Sequence, residues 1–411
     1  MTDTITSSRE AILLEDKYGA HNYHPLPVVL CKGEGVFLWD LEGKRYYDFL
    51  SAYSAVNQGH CHPRIIRTLT EQAKELTLTS RAFYNDKLGL AEKYVCETFG
   101  YQKALFMNSG AEANETAIKL ARKWGYTKKG IPNNQAVIVA VKKNFHGRTT
   151  TIISASTDPS ATSGYGPLMP GFEIVDYDNV PALEKALTNP NVCALWIEPI
   201  QGEAGVYVPA EGYLKAAEKI CRENHVLLMM DEIQTGIART GKMLASDHEG
   251  VRPDLLILGK ALSGGVLPVS LVLADGEVML VMKPGTHGST FGGNPLAAAV
   301  AMEALQVVKD ERLAQNAERL GIVFRERMQA LMHKTKLITL VRGKGLLNAI
   351  VINDKPESET AWNLCLEFAK NGLLAKPTHG NIIRLAPPLV ITEEQIHECC
   401  DIIERCILAK D

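Results

Sequence analysis

The sequence predicts an α/β protein: a large, mostly parallel sheet flanked by helices, followed by a smaller α+β unit. Three observations predict it. From about residue 85, short apolar runs alternate with stretches of helical period, the pattern of strand–helix–strand crossovers. Several of those runs end on a polar residue, at the carboxyl edge where open sheets build ligand sites. Beyond a boundary near residues 310–320 the order changes to a strand at 346–352, a helix at 357–371, a strand at 382–385 and a closing helix at 393–408.

Composition bounds the function classes. The chain has 411 residues, 46% hydrophobic and 22% charged, with a formal net charge of -3, so neither a nucleic-acid surface nor a polybasic membrane anchor is expected. The nine cysteines are odd in number and scattered, apart from Cys399, Cys400 and Cys406 on the last helix; this is the usage of a reducing compartment. No apolar run reaches transmembrane length. Residues 1–10 are polar and include Asp3 and Glu10, unlike a signal or transit peptide, so the chain as given is expected to be cytoplasmic.

In chain order, residues 10–18 form a short amphipathic stretch, and His21-Asn22-Tyr23-His24-Pro25-Leu26-Pro27 is extended because two prolines forbid helix. Residues 36–49 alternate around Glu42-Gly43 and predict a hairpin. Residues 51–63 are a loop of small and polar residues. His60, Cys61 and His62 within it are adjacent and point in different directions, so a packed loop is expected rather than a metal site. Pro63 then starts a helix over 64–78. Strands are expected at 104–107, 136–141, 192–197, 226–230 and 255–258, and a glycine-rich loop, 285–295, precedes a helix from Leu296 to about Lys309.

Candidate chemistry sits at the strand ends. Lys260 follows a run that reads as buried; it is either a rim lysine in an ion pair or an amine that attacks a carbonyl to form a Schiff base. Asp231 ends a neighbouring strand. It either caps the next turn or serves as the carboxylate that pyridoxal phosphate needs beside its ring nitrogen. Ser109-Gly110-Ala111 opens a helix and could offer backbone amides to a phosphate, with Ser289 and Thr290 adding hydroxyls, or could be a plain connection. Phe145 could stack on a flat ring and Arg148 could grip a carboxylate. Arg384, inside an apolar strand, needs an anion, either Glu203 or a substrate.

Four motifs in order, Ser109-Gly110-Ala111-Glu112-Ala113, Asp231-Glu232-Ile233-Gln234-Thr235-Gly236, Gly259-Lys260-Ala261-Leu262-Ser263-Gly264-Gly265 and His287-Gly288-Ser289-Thr290-Phe291-Gly292-Gly293-Asn294-Pro295, resemble the class III pyridoxal-phosphate aminotransferases over about residues 20–408. The resemblance implies a fold-type I transferase. Its seven-stranded-type sheet would lie in a large cofactor-binding domain over 85–315. A small domain would be made from both chain ends, 1–84 in part and 316–411. Within the class, residues 19–27 and 53–63 are similar to the members that act on the δ-amino group of ornithine, where Tyr23 and Tyr53 would hold the α-amino and α-carboxylate end away from the cofactor.

The resemblance further implies roles. Lys260 would carry pyridoxal 5'-phosphate and shuttle the proton, and Asp231 would pair the ring nitrogen. Gln234 would lie near the ring hydroxyl, Phe145 would stack, and Glu198 would support the ring-side network. Gly110 and Ala111 would bind the phosphate, with Thr290 reaching it across a homodimer interface. Arg148 would bind the α-carboxylate of L-ornithine. Arg384 would bind that of L-glutamate or 2-oxoglutarate, masked by Glu203 while ornithine is bound. The rival expectations are an aminotransferase for N-acetylornithine or 4-aminobutyrate, a non-catalytic cofactor-binding regulator on the same fold, and a Schiff-base lyase without cofactor.

Overall fold

The computed structural model describes residues 5–410; the first four residues of the polar N-terminal stretch and Asp411 lie outside the described residues. The N-terminal strands are β1 (Leu30–Glu34), β2 (Phe37–Asp40) and β3 (Arg45–Asp48). The hairpin expected at 36–49 is β2–β3; β1 was not foreseen, because Leu-Cys-Lys-Gly-Glu is mostly exposed and carries no apolar alternation.

The central sheet holds β4 (Lys103–Met107), β5 (Val137–Val141), β6 (Phe172–Val175), β7 (Val192–Ile197), β8 (Leu227–Asp231), β9 (Leu255–Leu258) and β10 (Ser270–Ala274), in the order β4-β10-β9-β8-β7-β5-β6. Pairings from β6 to β9 are parallel, and β10 runs antiparallel between β4 and β9. The sheet is buried on both faces, so its strands read as continuous apolar runs. Along β5, Ile138 and Ala140 pack on one side with Ala117, Leu120 and Ala121 of helix Gly110–Trp124. Val139 and Val141 pack on the other with Leu183, Leu214 and Ala217, from helices Val180–Leu187 and Tyr213–Glu223. Strands β6 and β10 escaped the sequence reading; Phe172–Val175 is only partly buried, whereas Ser270–Ala274 is fully buried between Pro268 and Asp275-Gly276, a signal that was available.

The C-terminal strands are β11 (Ile338–Lys344), β12 (Leu347–Ile352), β13 (Leu373–Leu374), β14 (Lys376–Thr378) and β15 (Ile382–Leu385). Strands β11-β12-β15-β14 form an antiparallel sheet, while β13 pairs parallel with β3 and so ties the two chain ends together. The closing helix, Glu393–Leu408, has the bounds expected; Thr392 caps it in a reciprocal box with Gln395. Helix Pro63–Glu75 begins at its proline as expected but stops three residues short of Leu78, where Leu76 turns extended. Cys399, Cys400 and Cys406 are buried on the closing helix and none is bonded to another.

A fully buried arginine, Arg239, ties the units. It donates to Asn57 Oδ1 at 2.5 and 3.2 Å, to the Leu346 carbonyl at 3.0 Å and to the Pro387 carbonyl at 2.6 Å. In the loop after β3, His60 Nε2 lies 2.7 Å from Asp48, and His62 pairs with Glu311. Among the described residues no helix is long and apolar enough to cross a membrane.

Candidate active site

The carboxyl edge of the central sheet gathers the site. Asp231 is the last residue of β8, Glu198 follows β7, Phe145 follows β5, and Lys260 follows β9 at the start of a short 3-10 turn. Gly110, Ala111, Phe145, Glu198, Glu203, Asp231, Gln234 and Lys260 line one cavity of about 190 Å³. Lys260 has φ +45°, a left-handed conformation that a side chain adopts only when its surroundings impose it. Among the described residues nothing hydrogen-bonds or ion-pairs its amine, so the rim ion pair is not formed. Burial holds the amine below the ordinary lysine pKa, although Asp231 and Glu203 pull the other way.

Asp231 accepts three hydrogen bonds: from the Ile233 amide at 3.0 Å, from Asn114 Nδ2 at 2.9 Å and from His146 Nδ1 at 2.7 Å. His146 lies flat on Trp196, with ring centroids 3.9 Å apart. Asn114 also donates to the His146 carbonyl at 3.0 Å and accepts from Trp196 Nε1 at 3.1 Å. The sequence reading missed both Asn114 and His146. A polar residue three or four places into a helix whose neighbours are buried was the available signal. Close by, Glu198 accepts from the Phe145 amide at 3.0 Å; burial first, then the charge of Asp231, push its carboxyl well above the ordinary value. Asp231 is thus held by three donors, while burial disfavours the charged form of Glu198.

Ser109 caps helix Gly110–Trp124 in a reciprocal box with Glu112. Its hydroxyl is thereby engaged and Ser109 stays at the rim, whereas Gly110 and Ala111 line the cavity. Ser289 accepts from Asn108 Nδ2 at 2.8 Å and from the Gly292 amide, behind the turn. Thr290 is exposed, and neither it nor Ser289 lines the cavity of its own chain. Gln234 Oε1 is buried without a partner, and Gly202 allows this approach, since a Cβ there would stand 1.6 Å from that oxygen. A carboxylate for a ring nitrogen, an orphaned acceptor for a ring hydroxyl, an unpaired lysine and a helix-opening turn fit pyridoxal phosphate.

Outside this cavity lies a chamber of about 590 Å³ lined by Tyr23, Tyr53, Arg148, Glu203, Lys376 and Arg384, among others. All five residues expected for substrate therefore converge. Arg384 donates to Glu203 Oε2 at 2.9 Å and to the Gly202 carbonyl at 3.2 Å, and its Nε is buried without a partner. Burial raises the Glu203 carboxyl, but the charge and hydrogen bond of Arg384 outweigh it and leave the group below the ordinary value. The Arg384 guanidinium lies 5.2 Å from the Tyr53 ring. Tyr53 is carried there by four successive left-handed residues, Ser51 to Ser54, with φ of 50°, 45°, 61° and 75°. Such a turn costs about 1–2 kcal/mol per residue. Asp48 offsets part of that by accepting from the Leu50 and Ser51 amides, both at 2.8 Å. Arg148 stands 5.6 Å from the Phe145 ring and pairs with no carboxylate among the described residues. Tyr23 is 70% exposed; its segment is held by His24 stacked on Trp362 and by Lys376 donating to the His24 carbonyl.

Known proteins share this fold. The ornithine aminotransferase of Drosophila melanogaster, named as mitochondrial, is 62% identical over 96% of this chain and 90% of its own. The crystal structure of the ornithine aminotransferase from Toxoplasma gondii, described as having partial occupancy of PLP at the active site, superposes with a TM-score of 0.97 at 50% identity over 99% of this chain and 95% of that one. The acetylornithine aminotransferase from Elizabethkingia anophelis is 59% identical, with a TM-score of 0.91 over 98% of this chain and all of that one. The family of class-III aminotransferases matches residues 18–407, and this chain belongs to it.

Proposed function

We propose that this protein moves the δ-amino group of L-ornithine to 2-oxoglutarate, giving L-glutamate 5-semialdehyde and L-glutamate in two half-reactions that share one site. The observation that carries it is the closed Glu203–Arg384 pair, roofed by Tyr53 and facing an unpaired Arg148. A diamine with one carboxylate and a dicarboxylate must use the same chamber in turn. A paired Arg384 leaves Arg148 as the cation for the ornithine carboxylate; an opened pair offers a second cation to glutamate.

Pyridoxal phosphate supplies the electron sink that this chemistry needs. Gly110 and Ala111 would hold its phosphate through backbone amides, and Thr290 of a second copy would add a hydroxyl. Asp231, oriented by Asn114 and His146, would hold a proton at the ring nitrogen. Phe145 would pack on the ring face and Gln234 would receive the ring hydroxyl, while Glu198 accepts from the Phe145 amide and so fixes that residue. Lys260, whose amine is without a partner among the described residues and is held below the ordinary lysine pKa by burial, would move the proton from the substrate carbon that bears the amine.

A second reading is transfer from N-acetylornithine, favoured by the 59% identity to the Elizabethkingia protein. The purified protein is offered ornithine, N-acetylornithine and 4-aminobutyrate with 2-oxoglutarate, the semialdehyde is trapped and the visible spectrum followed. Preference for ornithine is expected. Preference for either competitor overturns the substrate assignment, and absence of a visible chromophore that Lys260→Ala removes overturns the cofactor assignment.

The exposed Thr290 and Phe291 support a homodimer with the site at the subunit boundary, which sedimentation tests. The pairing of β13 with β3 supports a small domain drawn from both ends, over 1–84 in part and 316–411, around a large domain at 85–315. The fruit-fly relative is named mitochondrial, and fractionation separates that location from the cytoplasm.

A further inference from the structure

Glu203 sits at the middle of a loop, residues 201–207, whose other anchor points do not touch it. Gln201 and Tyr207 exchange backbone hydrogen bonds at 3.1 and 3.0 Å and close the base, and Gln201 Nε2 donates to the Lys142 carbonyl at 2.8 Å. On the far side Arg342, from β11, donates its Nε to the Gly205 carbonyl at 2.9 Å and lays its guanidinium 3.8 Å from the Tyr207 ring. Gly205, at φ +119°, packs so closely on β15 that a Cβ would stand 2.6 Å from Ile382 Cδ1. Among the described residues the Glu203 carbonyl is held by one side chain, Thr378, the buried last residue of β14, which donates its hydroxyl at 2.6 Å; the preceding carbonyl, of Gly202, accepts from Arg384.

We propose that Thr378 is a positioning residue for substrate choice: its hydroxyl pins the Glu203 backbone, so that the carboxylate leaves and regains Arg384 by side-chain rotation alone. The geometry supports rotation over loop movement. The Glu203 side chain is 30% exposed to the chamber, whereas every backbone anchor around it is bonded to a sheet or packed on one. Without the pin, the Glu203 main chain gains freedom relative to β15, the pair with Arg384 is populated less, and the bare guanidinium competes with Arg148 for the ornithine carboxylate. Glutamate, which needs Arg384 bare, does not share that penalty. The inference rests on the proposed ornithine–glutamate exchange.

The test uses the cofactor-loaded full chain and reads each half-reaction separately from the visible spectrum, with ornithine alone and with glutamate alone. In Thr378→Val the ratio of kcat/KM for ornithine to that for glutamate falls about two- to tenfold, the range set by one hydrogen bond, and Thr378→Ser restores it. Equal loss in both half-reactions, an unchanged ratio, or failure of serine to restore it overturns the inference and marks Thr378 as structural. If the valine protein does not fold, Thr378→Ala is read by the same ratio. A parent that does not react with ornithine at all overturns the functional proposal itself, and so is distinguished from a reactive parent whose ratio is insensitive to Thr378.

Discussion

Replacing Asn114 with leucine tests whether the buried network behind Asp231 holds the site. Asn114 is fully buried and makes four side-chain hydrogen bonds. Leucine fills a comparable space and leaves two groups without another recorded partner, the Trp196 indole N–H and the His146 carbonyl. The Asp231 carboxylate retains His146 and the Ile233 amide. Each orphaned buried group costs about 1–3 kcal/mol, so the loss is about 2–6 kcal/mol, a large share of a typical stability of about 5–15 kcal/mol. With a urea slope of about 3 kcal/mol per molar, the unfolding midpoint falls by about 0.7–2 M. Tryptophan fluorescence, to which Trp196 contributes as one of four indoles, reports the transition. Activity falls at least about tenfold, because the His146–Asp231 pair loses the group that orients it. Asn114→Asp is no rescue: it returns an acceptor to Trp196 but sets a second carboxylate against Asp231. A midpoint within about 0.2 M of the parent, with unaltered tryptophan emission, would refute the reasoning.

Two further expectations concern buried charge. Arg239→Met removes a cation whose pKa burial lowers to about 9, but strands the carbonyls of Leu346 and Pro387 and frees Asn57. Because Asn57 follows the turn that carries Tyr53, and Pro387 follows the strand that carries Arg384, the variant is expected to lose several degrees in Tm and to raise the KM for ornithine; an unchanged KM would show that the arginine serves stability alone. The Glu203–Arg384 pair sets a pH dependence. The Glu203 pKa is depressed in the folded state, so its contribution is complete above the ordinary value of 4.5 and is lost as pH falls through the lower folded value. The Tm difference between the parent and Glu203→Gln is therefore expected to hold from pH 8 to 5 and to shrink as the pH falls below 4.5; a difference that grows on acidification would contradict the pairing.

The fold was legible in the sequence where burial was two-sided. Continuous apolar runs such as Val192–Ile197 and Leu255–Leu258 announce strands of a covered parallel sheet, because both faces must be hydrophobic. Edge and antiparallel strands such as β1, β6 and β11 carry exposed or charged residues and gave no such signal. The helix caps at Ser109 and Thr392 follow from local chemistry and could be read directly.

By itself, then, the sequence determined the strand-end residues Glu198, Asp231 and Lys260 and the helix-opening turn at Gly110. A strand's carboxyl end and a helix's first turn are local properties, and a sheet collects them on one edge wherever its strands run parallel. Tertiary structure alone decided which of them meet what. Asn114 and His146 are 32 residues apart in sequence and reach Asp231 only because helix Gly110–Trp124 crosses the sheet beneath the loop after β5. The Ser109 hydroxyl, free in the sequence, is spent on its own helix cap. Tyr53, Glu203, Thr378 and Arg384 come from three distant segments, and their assembly depends on the left-handed turn at Ser51–Ser54 and on the register of β14 with β15. No local pattern encodes such a meeting, because it is set by the packing of whole elements.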